Sequence, residues 1–206
     1  MLILILHDNG NSMPDLPLTQ LAHAILESVI TAGDTVIDAT VGNGHDTLFL
    51  AHNVGPNGKV YGFDIQQAAL DTCYQRLCDN AATKQVSLFH AGHETMPMFI
   101  PENLQLEQIK AIMFNLGYLP GGDKQRCTQF STTLNALSFS LQAISIDGVI
   151  SILAYTGHSG GKEECDSIKN WLGTLDKNAI QITIHKPENT IHSPPELIII
   201  RKSKHQ

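Results

Sequence analysis

Val36-Ile37-Asp38-Ala39-Thr40-Val41-Gly42-Asn43-Gly44-His45-Asp46-Thr47 passes from a short apolar run into a glycine-bearing turn and then into a helical pattern. Glycines at such a turn let the backbone come close to a ligand, and the helix behind it offers N–H groups with no partner of their own. A second apolar run, Val60-Tyr61-Gly62-Phe63-Asp64, ends on an acid. It follows the first at the spacing, about twenty residues, at which a carboxylate accepts both hydroxyls of a ribose. In an open α/β sheet ligands bind in the crevice beyond the carboxyl ends of the strands. The two runs together therefore predict a parallel α/β sheet with a nucleoside-bearing ligand at this turn.

Outward from that stretch, short apolar runs alternate with helical patterns, as a largely parallel sheet covered on both faces requires. Strands are expected at Thr35–Ala39, Lys59–Asp64, Val86–His90, Ile109–Phe114, Gly148–Ala154, Ala179–His185 and Glu196–Arg201. Ahead of them Leu18, Leu21, Ala22, Ile25, Leu26 and Val29 recur at helical spacing, with Pro17 suited to a first turn and Gly33 to a stop. Later helices carry apolar faces at Leu70, Cys73 and Leu77, at Leu134, Leu137 and Leu141, and at Ile168, Trp171, Leu172 and Leu175. All of these read as core, Trp171 included. Pro187 to Pro195 reads as a connection before the last strand, since proline cannot donate to a central ladder.

A chain of 206 residues with 42% hydrophobic content buries one sizeable core, so residues 1–206 are read as a single domain. A net charge of −7 advertises no broad nucleic-acid surface, and any RNA contact has to be local. The apolar run Met1 to Leu6 is too short for a signal or a membrane span. Cys73, Cys78, Cys127 and Cys165 form no CxxC pair and have no histidines at zinc spacing, which favours reduced thiols in a cytoplasmic protein and no metal site.

The first turn also separates two cofactors. A nicotinamide site wants a third glycine where Thr47 stands, and Asp38 at the strand end would repel a pyrophosphate. A carboxylate there suits a cation. S-adenosylmethionine carries an ammonium and a sulfonium, and D-x-x-x-G-x-G resembles the first motif of the methyltransferases that use it, with Asp64 matching their ribose-binding acid. The loop Phe89-His90-Ala91-Gly92-His93-Glu94 corresponds to the one that flanks the adenine in those enzymes, which makes His93 and Glu94 candidates to line it. The fourth strand runs into Asn115-Leu116-Gly117-Tyr118, which looks like the N-P-P-Y motif of amino methyltransferases with Leu116 and Gly117 in place of both prolines. In that motif the Asn oxygen accepts from the target nitrogen and the aromatic packs on the base.

Taken with Gly62-Phe63-Asp64-Ile65-Gln66, Gly92-His93-Glu94, Met113 through Lys124 (MFNLGYLPGGDK) and Tyr155 through Glu164 (YTGHSGGKEE), these motifs resemble a bacterial family first labelled rRNA methylases and assigned as the tRNA 5-(aminomethyl)-2-thiouridine methyltransferases. The resemblance runs from Leu18 to Lys202, including Asn189 and Pro194-Pro195, and leaves residues 1–14 as a variable start. It implies a Rossmann-like class I methyltransferase fold, a seven-stranded, mostly parallel sheet with helices on both faces. It also implies S-adenosylmethionine bound by Asp38, Thr40, Gly42, Asn43, Gly44, Asp46, Asp64, Gln66, His93 and Glu94. The implied substrate is a primary amine on the wobble uridine of the tRNA anticodon stem-loop, and the implied assembly a homodimer, although no stripe in the sequence carries an oligomeric state.

An alkylamine of pKa roughly 10 is mostly protonated at neutral pH, so the enzyme has to present it neutral. The resemblance implies that Asn115 orients the amine and that Tyr118 packs on its base, with Gly117, Lys124 and Lys162, and Arg126 nearby, as candidates for substrate and phosphate contacts. Asn is no base. His158, after the fifth strand, is the candidate for that role, against a reading in which it shapes the glycine-rich loop or caps the helix near Lys162. An rRNA or other nucleic-acid amino group, a nicotinamide-dependent oxidoreductase and a non-catalytic cofactor-binding partner protein are the rival readings.

Overall fold

The computed structural model describes residues 16–117, 128, 130–157, 160–187 and 194–203. Its elements run α1 (Leu18–Glu27), β1 (Thr35–Asp38), α2 (His45–Val54), β2 (Lys59–Asp64), α3 (Gln67–Asp79), β3 (Val86–His90), α4 (Met96–Phe99), β4 (Ile109–Leu116), α5 (Phe130–Ala143), β5 (Ile144–Ala154), α6 (Gly161–Leu172), β6 (Ile180–His185) and β7 (Glu196–Lys202). Short 3-10 turns at His93–Thr95 and Glu102–Leu104 flank α4.

The seven strands form one sheet in the order β3-β2-β1-β4-β5-β7-β6. Pairing is parallel from β3 through β5 and antiparallel on both sides of β7. Because both faces are covered, the central strands are apolar at successive positions instead of alternating. Ile37, Phe63, Ile112, Phe114 and Ile150 point to one face, where Met96, Leu137 and Ile168 of α4, α5 and α6 pack. Val36, Val60, Ala111, Met113 and Val149 point to the other, against Leu26, Leu50 and Cys73 of α1, α2 and α3. This is the Rossmann-like architecture that the motifs imply.

Local differences from the sequence expectation have identifiable causes. β5 starts at Ile144, four residues before Gly148, because Asp147 at φ 61 breaks the regular chain without ending it. Ile144 pairs with Ile109, and the register shifts before Ala111 resumes opposite Val149, so Asp147-Gly148 marks an irregularity inside a strand and not its beginning. α1 ends at Glu27, with Pro17 as its N-cap, and Gly33 lies beyond it in the turn into β1, its N–H donating to the Val54 carbonyl at 2.8 Å. On α5 the buried face is Thr133, Ala136, Leu137 and Ser140, with Leu141 partly packed and Leu134 only half-buried. Trp171 packs against the core. Among the described residues no helix is long and apolar enough to cross a membrane.

Candidate active site

The crossover from β1 leads to β2 on one side while β4 lies on the other, so the strand order reverses beside the end of β1. That is the switch point at which doubly wound sheets bind ligands. Asp38, the last residue of β1, is level with Gly62 of β2 and Met113 of β4. The glycine loop is laced to both neighbours, Ala39 N–H donating to Met113 O at 2.8 Å and Val41 N–H to Phe63 O at 3.0 Å. Gly44, at φ 77, caps α2. A Cβ there would stand 2.6 Å from Cys73 Sγ and 2.8 Å from Cys73 Cα, so the loop lies directly against α3.

Asp64 holds this loop from the side. Its Oδ2 accepts from Gly42 N–H and its Oδ1 from Gln66 N–H, each at 2.8 Å. An ionised carboxylate has roughly four acceptor sites. Two backbone donors therefore fix Asp64 and leave capacity for hydroxyl donors. Asn43 is tied as well, its carbonyl accepting from Arg76 Nε at 2.9 Å.

Asp38 lies below the loop, fully buried. Thr47 Oγ1 donates to its Oδ2 at 2.6 Å and Thr40 N–H to its Oδ1 at 3.2 Å. Burial, followed by the charge of Asp46, raises its pKa from 3.8 to about 7. Between these values the unfolded chain has released this proton and the folded chain still holds it, so Asp38 lowers stability as pH rises through that window. We expect the stability of the wild type relative to Asp38→Asn to decline from pH 4 to pH 7, by at most on the order of 4 kcal/mol. Thermal unfolding of both proteins across that range measures the difference, and parallel curves would refute it.

Asn115, near the end of β4, is held at two points. Its N–H donates to Thr40 Oγ1 at 2.7 Å, and its Nδ2 donates to Asp46 Oδ2 at 2.6 Å. The other Asp46 oxygen meets His23 Nε2 of α1 at 2.6 Å, and the His23 ring lies flat on Phe49, centroids 3.9 Å apart and 2° from parallel. Burial pushes the Asp46 carboxyl up, but the hydrogen bonds from His23 and Asn115 prevail and hold it below its ordinary value. Tyr155, just past β5, donates its N–H to Leu116 O at 2.9 Å and is 41% exposed. Burial and the nearby Asp46 charge push its hydroxyl pKa up.

The expected adenine-side pair is divided by the fold. His93 is only 7% exposed, edge-on to Phe114 and beside Ala39 and Thr133. Burial lowers its pKa. Glu94 is half-buried and nearer solvent. Beneath them Glu164 of α6 is buried and accepts from Thr128 Oγ1 and Thr133 Oγ1, each at 2.7 Å. Thr128 N–H also donates to Gly117 O at 3.0 Å, so Gly117 and Thr128 meet at the site. Lys162 is exposed on the first turn of α6. Tyr118, Lys124, Arg126 and His158 lie outside the described residues.

Sequence reasoning assigned no role to His23, Tyr155 or Glu164. His23 sits in an ordinary helical pattern, and only the tertiary approach of α1 to α2 gives it Asp46 as a partner. Glu164 stands inside a quoted motif, yet no local signal tells a buried carboxylate from a solvated one. Among the described residues no group of three or more His, Cys, Asp and Glu is arranged to hold a metal ion.

Residues 60–201 match the family described as "putative rRNA methylase". The chain is 41% identical over 159 residues to the Arabidopsis thaliana chloroplastic tRNA (mnm5s2U34)-methyltransferase, covering 73% of this chain and 57% of the plant protein's length. Of solved structures, a protein of Clostridium thermocellum described as a "putative rRNA-methylase" superposes with a TM-score of 0.84 at 37% identity, over 89% of this chain and 96% of that one. A protein of Streptococcus mutans described as a "putative methyltransferase", solved in complex with SAH, superposes with a TM-score of 0.81 at 36% identity, over 91% and 98%. These likenesses show the class I methyltransferase fold.

Proposed function

The chain belongs to the family described as "putative rRNA methylase", and we propose that it is an S-adenosylmethionine-dependent N-methyltransferase of tRNA. Its substrate in this reading is the aminomethyl group of the modified wobble uridine in the anticodon stem-loop, and its product the methylaminomethyl nucleoside. The plant relative's name and the SAH bound to the streptococcal neighbour support this reading. One observation carries it: Asp46 takes the Asn115 amide nitrogen at 2.6 Å, which leaves the amide oxygen for an incoming amine beside the glycine loop.

The loop suits a cationic ligand. Asp38, Asp46 and Asp64 stand close enough for the charges of the other two to raise the pKa of Asp38. The neighbouring cation, Arg76, is engaged by Asn43 O and His45. A pyrophosphate would meet carboxylates here, whereas a sulfonium and an ammonium would be attracted. In the proposed site Asp64 and Gln66 border the ribose, Glu94 and His93 the adenine side, and Gly42, Asn43 and Gly44 the amino-acid end over Asp38 and Thr40.

S-adenosylmethionine, when bound, supplies a methyl group on a sulfonium. Asn115 Oδ1 would accept a hydrogen bond from the neutral amine, aim its lone pair, and stabilise the charge that the nitrogen gains. Tyr118 and Gly117 would border the base, and Lys124 and Lys162 the phosphates. His158 stays the candidate base. The unpaired Cys73 and Cys165, their thiols raised to about 11 by burial, fit a reducing, cytoplasmic setting. The homodimer belongs to the same reading through the family resemblance.

The deciding experiment is methyl transfer from labelled S-adenosylmethionine to tRNA carrying 5-aminomethyl-2-thiouridine, beside tRNA lacking the aminomethyl group, with nucleoside mass analysis. Label in the methylaminomethyl nucleoside of the first tRNA alone is the expected result. Label in neither, with cofactor binding intact, would overturn the tRNA assignment and direct the search to rRNA amino groups.

A further inference from the structure

The amide of asparagine is ambiguous by shape, since its oxygen and its NH2 are nearly isosteric. An amine-methylating site needs one orientation. If the NH2 faced the substrate, it would present two donors to a nitrogen that has to keep its lone pair free and gains positive charge as it reacts. Something must therefore set the amide's polarity, and the backbone bond from Asn115 N–H to Thr40 Oγ1 does not, because it leaves the side-chain end undetermined.

The carboxylate of Asp46 sets it. An ionised carboxylate only accepts, so Asn115 Nδ2 has to face Asp46 Oδ2 and Oδ1 has to face away. Asp46 can do this only if it stays in place itself. It sits in the first turn of α2, and its second oxygen is held by His23 Nε2 from a separate helix, α1. His23 in turn is fixed by lying flat on Phe49 of α2. Side chains of α1, α2 and β4 thus form one chain, His23–Asp46–Asn115, with links of 2.6 Å and the acceptor atom of Asn115 at its end.

We propose that His23 and Asp46 are positioning residues, with His23 anchoring Asp46 and Asp46 locking the Asn115 amide so that its oxygen faces the target amine. Two donors leave Asp46 acceptor capacity, as they leave Asp64, so its orienting of Asn115 stands beside any contact it makes with the cofactor. The proposal rests on the N-methyltransferase reading for its chemistry, but the locking of the amide can be measured without any substrate.

The test is the side-chain amide resonance of Asn115 in 15N-labelled protein, assigned by its loss in Asn115→Ala. Wild type is expected to show one Hδ2 proton shifted downfield and slow to exchange, as a bond to a carboxylate produces. In His23→Ala and in Asp46→Ala that proton should move to the position of a free amide. His23→Gln, which keeps a donor for Asp46 and loses the ring, should retain much of the shift, and it guards against a folding defect in the alanine variant. With the methyl-acceptor tRNA, His23→Ala should lower kcat about 10- to 100-fold at a KM for S-adenosylmethionine within a few-fold of wild type, and His23→Gln should recover part of the loss.

An Asn115 amide signal in folded His23→Ala identical to that of wild type would overturn the proposal, as would a KM for the cofactor that rises while kcat is unchanged. If wild type methylates no tRNA amine, the function reading fails, while the amide comparison still decides this one.

Discussion

Asn115→Ala is expected to lower methyl transfer by about 10²- to 10³-fold, the cost typical of removing one preorganised group from a developing charge. The change removes the acceptor for the amine and also the donor that Asp46 Oδ2 takes at 2.6 Å. Cofactor affinity should fall far less, because the loop stays laced to β2 and β4 by its own backbone bonds. Titration with S-adenosylhomocysteine beside single-turnover kinetics separates the two effects. A variant that loses cofactor binding in proportion to turnover would mean that Asn115 supports the loop and not the reaction.

Asn115→Asp sharpens the point. It sets a second carboxylate against Asp46 at hydrogen-bond distance, and two such groups cannot both ionise cheaply. The pair would retain a proton in the folded state that the unfolded chain releases near pH 4. Its penalty is therefore absent in acid and grows as pH rises above that value. Asn115→Asp should approach the stability of Asn115→Ala at pH 4 and fall below it at pH 7, and equal melting curves at both would remove the contact from the account.

Gly44→Ala is the second large effect. A left-handed residue other than glycine costs about 1–2 kcal/mol, and here the added methyl also meets Cys73 at 2.6 Å from Sγ and 2.8 Å from Cα. The Cα is backbone, so a rotamer change at Cys73 cannot clear it. α3 or the loop has to move, and the loop is the one that Asp64 holds through Gly42 N–H. A stability loss of about 3–4 kcal/mol would lower Tm by roughly 6–16 °C in a chain of this size, and cofactor binding should become undetectable.

Gly33→Ala is the control. Its φ of 97 carries the same kind of backbone cost, but a Cβ there meets nothing within 4 Å. If the two variants lose equal stability, the packing of the loop on α3 contributes nothing beyond the dihedral strain.

Much of the fold is legible in the sequence. Strand positions follow from apolar runs such as Val36–Asp38 and Val60–Asp64, because a strand buried on both faces has no polar face to hide it. The misread boundaries were those where local breaks and helix stops mislead: Gly148 looked like a start and Gly33 like a stop, and both are settled by pairing partners distant in sequence. The site was legible in part. Asp38 and Asp64 close their strands and Asn115 stands one residue before the end of β4, all at the carboxyl end of the sheet, so the strand positions bring them together. What each carboxylate does there was not legible, since burial, and with it a pKa of about 7 for Asp38, depends on what covers it.

The sequence by itself determined the α/β layering and put Asp38, Asp64 and Asn115 at or near strand ends, because periodicity, glycine placement and strand-end acids act over a few positions along the chain. Only the tertiary structure decided that Asp46 faces Asn115 and His23, that His93 is buried beside Phe114, and that Glu164 gathers Thr128 and Thr133. The hydrogen bonds among them join residues from 23 to 69 positions apart. They are chosen by how helices pack on a sheet, and the local spacing of residues carries no record of that choice.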